Sequence, residues 1–461
     1  MKKLLKGIGY TLGAAVVAAL LYVLITFPPV MAGMVAKTMC SCVYVSGRTP
    51  TSVQEKELQV FPGLANAAFT LHADSSVTAH ILWHTSKAIY RKGLGCTLLA
   101  ERSEHEIRAQ KIRLAIPPSR NQDSVAWPSG NKITGTPVPG VNYTALNAAI
   151  ARAFYDTIPE QPVHTSAVVV VYKNQLLGER YGEGYTRNSR LMGWSMTKSL
   201  TNAFIGIMVK EKRIAVDDKA PISHWQNDDR KMISIHDLLK ASSGLDWSES
   251  YFIPTSHFHN MFTKSDDKGG YAASLSLKHK PGTYFKYSSG VTNILSSIMR
   301  QVLGDSLYYS YPYAQLFYKI GMHSVVIEPD ASGTYVGSSY SYATARDWAR
   351  FGLLYLNDGM WDGERILPEN WVKYSATPAP ASPLHEYGAQ WWLNGGNESN
   401  PDKKYFPGLP ADAMIAEGFE RQYVVVIPSH QLVVVRLGVT HNKNFKIEQL
   451  VNGVMAALPE K

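Results

Sequence analysis

The sequence predicts an α+β fold, in which an antiparallel sheet is flanked by N- and C-terminal helices and covered by a mainly helical subdomain. Strand-like runs occur in two pairs, one on each side of a long helical and loop-rich segment from Ser195 to about Trp392. Helical patterns lie outside both pairs. One sheet closed by these terminal helices accommodates all four strands. The strand-like runs are 166–172, 175–181, 422–427 and 432–437, and the flanking helical patterns are 143–155 and 446–458.

The first 36 residues have the pattern of a signal anchor. Three lysines within the first six residues precede an uncharged stretch at 7–27, which ends before Pro28. Roughly 20 residues, rising ~1.5 Å each, are enough to cross a ~30 Å hydrocarbon layer. A cleaved signal peptide is the alternative, but the nearest small-residue site, at 34–36, begins with a bulky methionine. The lysines predict a cytoplasmic N-terminus, with the rest of the chain on the periplasmic or another extracytoplasmic face.

The positive charge is concentrated near this anchor. The net charge is +9, of which residues 1–36 carry +3, while residues 37–120 hold 11 Lys and Arg against 6 Asp and Glu. Residues 121–461 are left with a net charge of only +1. This distribution favours contact with a membrane surface and argues against a nucleic-acid partner. The sequence does not indicate an oligomeric state.

Beyond the anchor, composition divides the chain into two domains. Residues 37–130 form a small N-terminal domain of unknown role, with strand-like runs at 77–83 and 96–100. The stretch 127–140 is rich in Pro, Ser, Gly and Asn, which is typical of a linker. Residues 131–461 form the larger domain and contain the predicted sheet.

The three cysteines, Cys40, Cys42 and Cys96, cannot all pair within one chain. Cys40 or Cys42 could bridge to Cys96 in an oxidising compartment, or all three could be buried thiols. A metal or lipid site at Cys40-x-Cys42 is disfavoured, because no histidine cluster and no lipid-attachment box adjoins it. We expect a structural role.

The pattern Ser-x-x-Lys, which can carry nucleophilic chemistry, begins at Ser129, Ser195 and Ser265. Ser129 lies in the predicted linker and Ser265 runs into a Gly-Gly turn, so both are ordinary turn positions. Only Ser195 begins a helical pattern, which sets Lys198 one turn further on the same face.

A serine at the start of a helix, with a lysine one turn later, suits acyl transfer. Free N–H groups at the helix N-terminus stabilise an oxyanion, and a half-buried lysine can lose its proton and act as a base. The alternative is that Ser195 only caps the helix and that Lys198 is a solvated surface residue. Tyr287, at a junction between a loop and a helical pattern, is a candidate third group, although taken alone it is typical of a packed aromatic.

Several motifs in chain order resemble the serine beta-lactamase-related superfamily over about residues 140–458. This superfamily includes class C beta-lactamases, D,D-peptidases, related esterases and aminohexanoate-oligomer hydrolases. The resemblance implies a beta-lactamase/transpeptidase-like fold and an acyl-enzyme mechanism without metal or cofactor, in which Lys198 and Tyr287 move the proton of Ser195. The matching stretches are GWSMTKS at 193–199, IHDLL at 235–239, SSGL at 242–245, PGTYFKYSS at 281–289 and ARDWARFG at 345–352.

The resemblance also assigns an oxyanion hole and a substrate-binding edge. The backbone N–H groups of Ser195 and Phe419 would bind the oxyanion, with Gly418 allowing close approach. The Lys-Thr-Gly triplet of beta-lactamases is replaced here by Ala-Glu-Gly at 416–418. Either Arg421 supplies the missing charge or the substrate carries no carboxylate there.

Two further positions bear on the substrate. Ser289 stands where class C beta-lactamases have Asn, which again favours an amide or ester over a beta-lactam. Trp391, with its neighbour Trp392, would line the substrate cleft or pack under the sheet.

His257 and His259 have the spacing of a metal pair, but they lack further ligands and are interpreted as loop residues. The rival function is a non-catalytic module of this fold that binds cell-wall or small-molecule ligands, against which the retention of Ser195, Lys198 and Tyr287 argues.

Overall fold

The computed structural model describes residues 2–61, 63–135, 137–156, 158, 162–396, 403–441 and 444–460. Its first element is helix α1, Lys2–Tyr44, which continues without a break through Pro28 and Pro29. The sequence predicts an uncharged stretch that ends before Pro28; the exposed part of the helix ends at Phe27, whereas the helix itself continues to Tyr44. The helix persists because its second half is packed into the protein, where Val35, Met39 and others are fully buried, and tertiary packing outweighs the local cost of the prolines.

The first half of α1 is exposed and apolar. Within the described chain it belongs to the one helix that is long and apolar enough to cross a membrane, with a mean hydropathy of 2.2 in its most apolar window. A signal sequence near an N-terminus also passes this test of length and composition.

The second half of α1 packs on a small antiparallel sheet. Its strands follow the order β1-β2-β3-β4, and the predicted runs 77–83 and 96–100 correspond to β2 and β4. A disulfide joins Cys40 of α1 to Cys96 of β4, while Cys42 is a buried free thiol. The elements of this unit are α2 (Pro50–Glu55), β1 (Ala68–Leu71), β2 (Ser76–Ile81), β3 (His84–Arg91), β4 (Gly95–Leu98) and α3 (Glu104–Arg108).

The stretch 127–140, predicted to be a linker, is held against the larger domain at its start. The buried Arg350 side chain donates hydrogen bonds to the carbonyl oxygens of Pro128 (2.7 Å) and Gly130 (2.6 Å). Helix α4 (Tyr143–Arg152) then leads into β5 (Thr165–Tyr172) and β6 (Gln175–Tyr181). Lys173 and Asn174 both have positive φ (48° and 63°), as a tight hairpin turn requires.

The middle of the chain is mainly helical, as predicted. Short strands β7, β9 and β8 form a three-stranded sheet next to the start of α5, and β10 pairs with β11. The elements are β7 (Leu191–Met192), α5 (Thr197–Lys210), α6 (Ile235–Leu239), α7 (His257–His259), α8 (Lys268–Ser274), α9 (Ser289–Leu303), α10 (Asp305–Tyr308), β8 (Val326–Ile327), β9 (Ser341–Ala343), α11 (Ala345–Leu356), β10 (Met360–Trp361), β11 (Glu364–Arg365) and α12 (Trp371–Ala376).

One six-stranded antiparallel sheet joins both ends of the larger domain, which confirms the predicted pairing. Its order is β12-β13-β14-β15-β5-β6. Side chains alternate across it: Val169 and Val171 of β5 face the helical region, whereas Val168 and Val170 face the terminal helices. The remaining elements are β12 (Trp392–Leu393), β13 (Met414–Gly418), β14 (Gln422–Ile427), β15 (Leu432–Gly438) and α13 (Ile447–Met455).

Candidate active site

Ser195 lies in a tight turn that leads directly into α5. Residues Trp194–Met196 form a 3-10 turn, and α5 begins at Thr197. Trp194 has φ +48°, a left-handed conformation that costs energy for a large residue and often marks a functional turn. A Cβ atom at Gly193 would lie 2.3 Å from the ring of Trp348. The ARDWARFG motif on α11 therefore fixes the position of this turn.

Lys198 is buried beneath Ser195, with 2% of its surface exposed. Its Nζ donates hydrogen bonds to Ser195 Oγ (3.0 Å), Ser289 Oγ (3.1 Å) and the carbonyl oxygen of Ser338 (3.0 Å). Burial lowers the pKa of Lys198 to about 8, and the negative charge of Glu249 opposes that shift. The interpretation of Lys198 as a solvated surface residue is therefore excluded, and its neutral form is accessible near neutral pH.

Tyr287 completes the cluster from the loop before α9. Its ring lies 4.9 Å from Lys198 Nζ, and the neighbouring Ser195 side chain influences its pKa. Burial raises the pKa of Tyr287 well above its ordinary value, with nearby Tyr251, Tyr387 and Glu249 acting in the same direction. A tyrosine held neutral in this way can donate or relay a proton. The structure thus brings together the three residues that the sequence nominated.

Ser289 contacts Lys198 and does not face the cleft. It is 1% exposed, accepts the hydrogen bond from Lys198 and donates one to Glu249 Oε1 (2.6 Å). Its backbone N–H also donates to Glu249 Oε2 (2.8 Å). Ser289 was predicted to bind substrate; in this structure its hydroxyl is bonded to Lys198 and Glu249, and it has almost no exposed surface.

Glu249 is the residue that sequence reasoning missed. It links Trp247, Tyr251 and Ser289 by accepting hydrogen bonds from all three. No motif surrounds it, and its proximity to Lys198 arises only when its loop folds over the start of α9. It is the carboxylate that affects the charge state of Lys198.

Strand β13, which lies between the short edge strand β12 and β14, ends beside the turn that carries Ser195. A Cβ atom at Gly418 would lie 2.2 Å from the carbonyl oxygen of Gly193, so only glycine permits this approach. The ring of Phe419 packs on Trp194 with a centroid distance of 5.5 Å. Phe419 and Ser195 line the same cleft, and an oxyanion hole made of their N–H groups would need both groups to point into it.

Arg421 lies in the turn that follows and is 3.9 Å from Glu417. Burial raises the pKa of Glu417 to about 7, against the opposing influence of Arg421. The side chain of Arg421 is therefore directed to its own hairpin, and it is not among the residues that line the cleft around Ser195.

Trp391, which directly precedes β12, and Trp392, which begins it, have different environments. Trp391 is fully buried and stacks on Phe351, with a centroid distance of 5.8 Å. Of the two roles that the sequence leaves open for Trp391, lining the cleft or packing under the sheet, the structure shows the packed position. Trp392 instead stacks on Tyr287 at 5.3 Å. Adjacent strand residues face opposite sides of a sheet, and this explains the difference.

The cleft above Ser195 has an unexpected wall. It encloses about 670 Å³, counting the solvent at its mouth. Four residues of α1 line it, together with Phe61 and with Leu98 of β4, so the N-terminal unit forms part of the site. The α1 residues are Gly33, Met34, Lys37 and Thr38. The opposite wall is mainly aromatic, with Trp194, Tyr251, Phe258, Phe262, Tyr340 and Phe419.

The histidine pair, His257 and His259, is held by hydrogen bonds to the backbone. His257 Nδ1 accepts from the Ser248 N–H (3.1 Å), and His259 Nε2 contacts the Tyr251 carbonyl oxygen (2.9 Å). In the part of the chain that the structure describes, no group of three or more His, Cys, Asp or Glu could hold a metal ion.

The lysines of the other two Ser-x-x-Lys matches have different surroundings from Lys198. Lys132 is exposed, and Lys268 is buried against backbone carbonyl oxygens.

The fold and this site place the protein in the class of serine hydrolases related to beta-lactamases. The sequence model of the family described as Beta-lactamase matches residues 149–448, more than half of the chain. The chain belongs to this family.

Known relatives agree with that assignment. The 6-aminohexanoate-dimer hydrolase of Paenarthrobacter ureafaciens is 25% identical over 261 residues, which are 51% of this chain and 66% of that protein. The chain thus spans just under two thirds of this relative.

Solved structures share the fold. A putative 6-aminohexanoate-dimer hydrolase from Bacillus anthracis has a TM-score of 0.53 and 22% identity, covering 75% of this chain and 89% of its own. A family VIII carboxylesterase also has a TM-score of 0.53, with 14% identity, covering 71% of this chain and 100% of its own.

Proposed function

We propose that this protein is a membrane-anchored serine hydrolase that cleaves a small amide or ester through an acyl-enzyme on Ser195. The observation that carries the proposal is the buried Lys198 amine, 3.0 Å from Ser195 Oγ and with its pKa lowered to about 8. A lysine in this state can take the proton of a serine hydroxyl without a histidine. Lys240 is equally buried and its pKa is also lowered to about 8, so it is the contact of Lys198 with Ser195 that favours catalysis over a module that only binds ligands.

In the proposed reaction, Ser195 Oγ attacks the substrate carbonyl carbon while its proton moves to neutral Lys198. The N–H groups of Ser195 and Phe419 stabilise the oxyanion. The proton returns through Tyr287 to the leaving amine or alcohol, and the bond from the carbonyl carbon to that group breaks. Water then attacks the acyl-enzyme by the reverse proton path, which releases the carboxylic acid and restores the Ser195 hydroxyl.

The end of β13 favours amides and esters over beta-lactams. The strand carries Ala416, Glu417 and Gly418 where beta-lactamases have Lys-Thr-Gly, so the strand itself offers no cation to a substrate carboxylate. Arg421 is engaged by Glu417 in the adjoining turn. The 6-aminohexanoate-dimer hydrolase and the carboxylesterase among the relatives are named for amide and ester substrates.

The exposed apolar part of α1 and the lysines at its start support an anchor with the catalytic domain on the extracytoplasmic side. The Cys40–Cys96 disulfide supports an oxidising compartment. Extraction of membranes with alkaline carbonate should leave the full chain in the membrane fraction. Release of the protein into the soluble fraction would contradict the anchor.

The substrate class is tested by mass spectrometry of the intact protein after incubation with a nitrophenyl ester, an aminohexanoate dimer and a chromogenic cephalosporin. We expect an acyl adduct or turnover with the ester or the amide, absent in Ser195→Ala and retained in Ser265→Ala. Rapid turnover of the cephalosporin would contradict the preference for amides and esters. No adduct and no turnover with any compound would favour the non-catalytic binding module.

A further inference from the structure

The residues of α1 that line the cleft, which we call the α1 wall, follow the exposed apolar part of the same helix within a few residues. Large apolar side chains from Ile8 to Phe27 are exposed, and burial in the protein begins at Pro28. Gly33 and Met34 line the cleft only six and seven residues beyond Phe27. At ~1.5 Å per residue, the cleft begins roughly 9 to 11 Å along the helix from the last exposed large apolar residue.

A second set of apolar side chains extends from the cleft toward the exposed part of α1. Phe61, which lines the cleft, packs on Phe252 with a centroid distance of 5.8 Å. Phe252 and the adjacent Ile253 are 78% and 54% exposed. The neighbouring Thr255 is hydrogen-bonded through its hydroxyl to Tyr22 of the exposed helix (2.6 Å). Exposed aromatic and aliphatic side chains beside a membrane-spanning helix are typical of a bilayer interface.

The charge within the α1 wall is compensated inside the protein. Lys37 forms a buried ion pair with Glu328, and its ammonium lies over the ring of Tyr340 at 4.0 Å from the centroid. Ser41 donates a hydrogen bond to the same carboxylate (2.8 Å). The wall therefore presents mostly apolar and aromatic surface to a substrate, which suits a long hydrocarbon chain better than a polar peptide or sugar.

From this continuity we infer that the substrate is a long-chain ester or amide that resides in the bilayer and reaches Ser195 along α1. Its apolar chain would lie between Met34 and the aromatic wall, with its carbonyl group at Ser195. This inference rests on the proposed acyl-enzyme function and specifies its substrate class. The N-terminal unit, whose role could not be predicted, would then be the part of the enzyme that accepts the chain from the membrane.

The experiment uses the full chain reconstituted in phospholipid vesicles, with methylumbelliferyl acetate and methylumbelliferyl palmitate as substrates. The palmitate is supplied either in the vesicles that hold the protein or in separate vesicles. We expect kcat/KM for the palmitate to exceed that for the acetate by about tenfold or more, since several buried CH₂ groups contribute. Hydrolysis of the palmitate should be faster when it shares the vesicle with the protein.

Met34→Glu places a charge in the α1 wall, and Met232→Glu makes the same change at an exposed methionine outside the cleft. Met34→Glu should lower the ratio of palmitate to acetate kcat/KM at least tenfold, and Met232→Glu should leave this ratio unchanged. The inference is overturned, and the proposed function stands, if the wild type hydrolyses the palmitate with a kcat/KM no higher than that for the acetate. It is also overturned if Met34→Glu lowers the hydrolysis of both esters by the same factor. If neither ester is hydrolysed by the wild type, the proposed function fails and this inference fails with it.

Discussion

The charge state of Lys198 predicts how activity depends on pH. Lys198 must be neutral to accept the proton of Ser195, and its pKa is lowered to about 8 by burial. At pH 7 roughly one lysine in ten would then be neutral, compared with about one in 2,500 for a lysine of ordinary pKa. The value of kcat/KM for a soluble short-chain ester should therefore rise about tenfold from pH 7 to a plateau above pH 9, with a midpoint near 8.

Replacing Glu249 changes this profile in a defined direction. The carboxylate of Glu249 raises the pKa of Lys198, so Glu249→Gln should move the midpoint to lower pH and increase the neutral fraction at pH 7. The assay is stopped-flow hydrolysis of the ester between pH 5 and 10, corrected for the reaction without enzyme. Glu364→Gln makes the same substitution at an exposed ion pair with Lys319 and should leave the midpoint unchanged.

Two results would refute this reasoning. A profile that still rises through pH 10 would mean that Lys198 has an ordinary pKa. A midpoint that moves to higher pH in Glu249→Gln would mean that the carboxylate does not act on Lys198 through its charge.

Three other predictions concern stability and the end of β13. Glu328→Gln leaves Lys37 buried without its carboxylate and should lower the free energy of unfolding by about 3 kcal/mol, measured by thermal denaturation in detergent. Cys40→Ser removes the disulfide and should cost about 2 to 4 kcal/mol in the same assay. Gly418→Ala forces the strand away from the carbonyl oxygen of Gly193 and should lower kcat/KM about 100-fold on a short-chain ester, because the Phe419 N–H is displaced.

Each of these variants has a matched control. Glu364→Gln breaks an exposed ion pair and should change stability by less than about 1 kcal/mol. A reductant should destabilise the wild type and Cys42→Ala but not Cys40→Ser; equal sensitivity of all three would contradict the disulfide. Gly395→Ala is the control for Gly418→Ala and should keep its activity, because the nearest atom is 3.9 Å from the added Cβ. Full activity in Gly418→Ala would contradict the oxyanion hole.

The sheet and the nucleophile were accessible from the sequence because their signals are local. The continuous valine-rich run within 166–172 and the turn at Lys173 predict a hairpin, and helical spacing after Ser195 predicts the position of Lys198. Tyr287 needed the ordered motifs of the superfamily, since nothing in its own segment separates it from a packed aromatic.

The errors come from contacts that no local pattern encodes. The prolines in α1 favour a break, but packing against the small sheet keeps the helix continuous. Trp391 and Trp392 are adjacent in the chain at the start of β12 but point to opposite sides, and the sequence did not specify which of them is buried. Glu249 reaches Ser289 across 40 residues of chain, and the α1 wall reaches Ser195 across more than 150 positions of the sequence.

The most direct test of the central claim is the site of covalent labelling by a fluorophosphonate probe. Ser195 should carry the label in the full chain, as mapped by peptide mass spectrometry, and Ser195→Ala should not react. Ser129→Ala and Ser265→Ala remove the serines of the other two Ser-x-x-Lys matches and should be labelled as fast as the wild type. Labelling that persists in Ser195→Ala, or a wild type that does not react at all, would contradict the claim that Ser195 is the activated nucleophile.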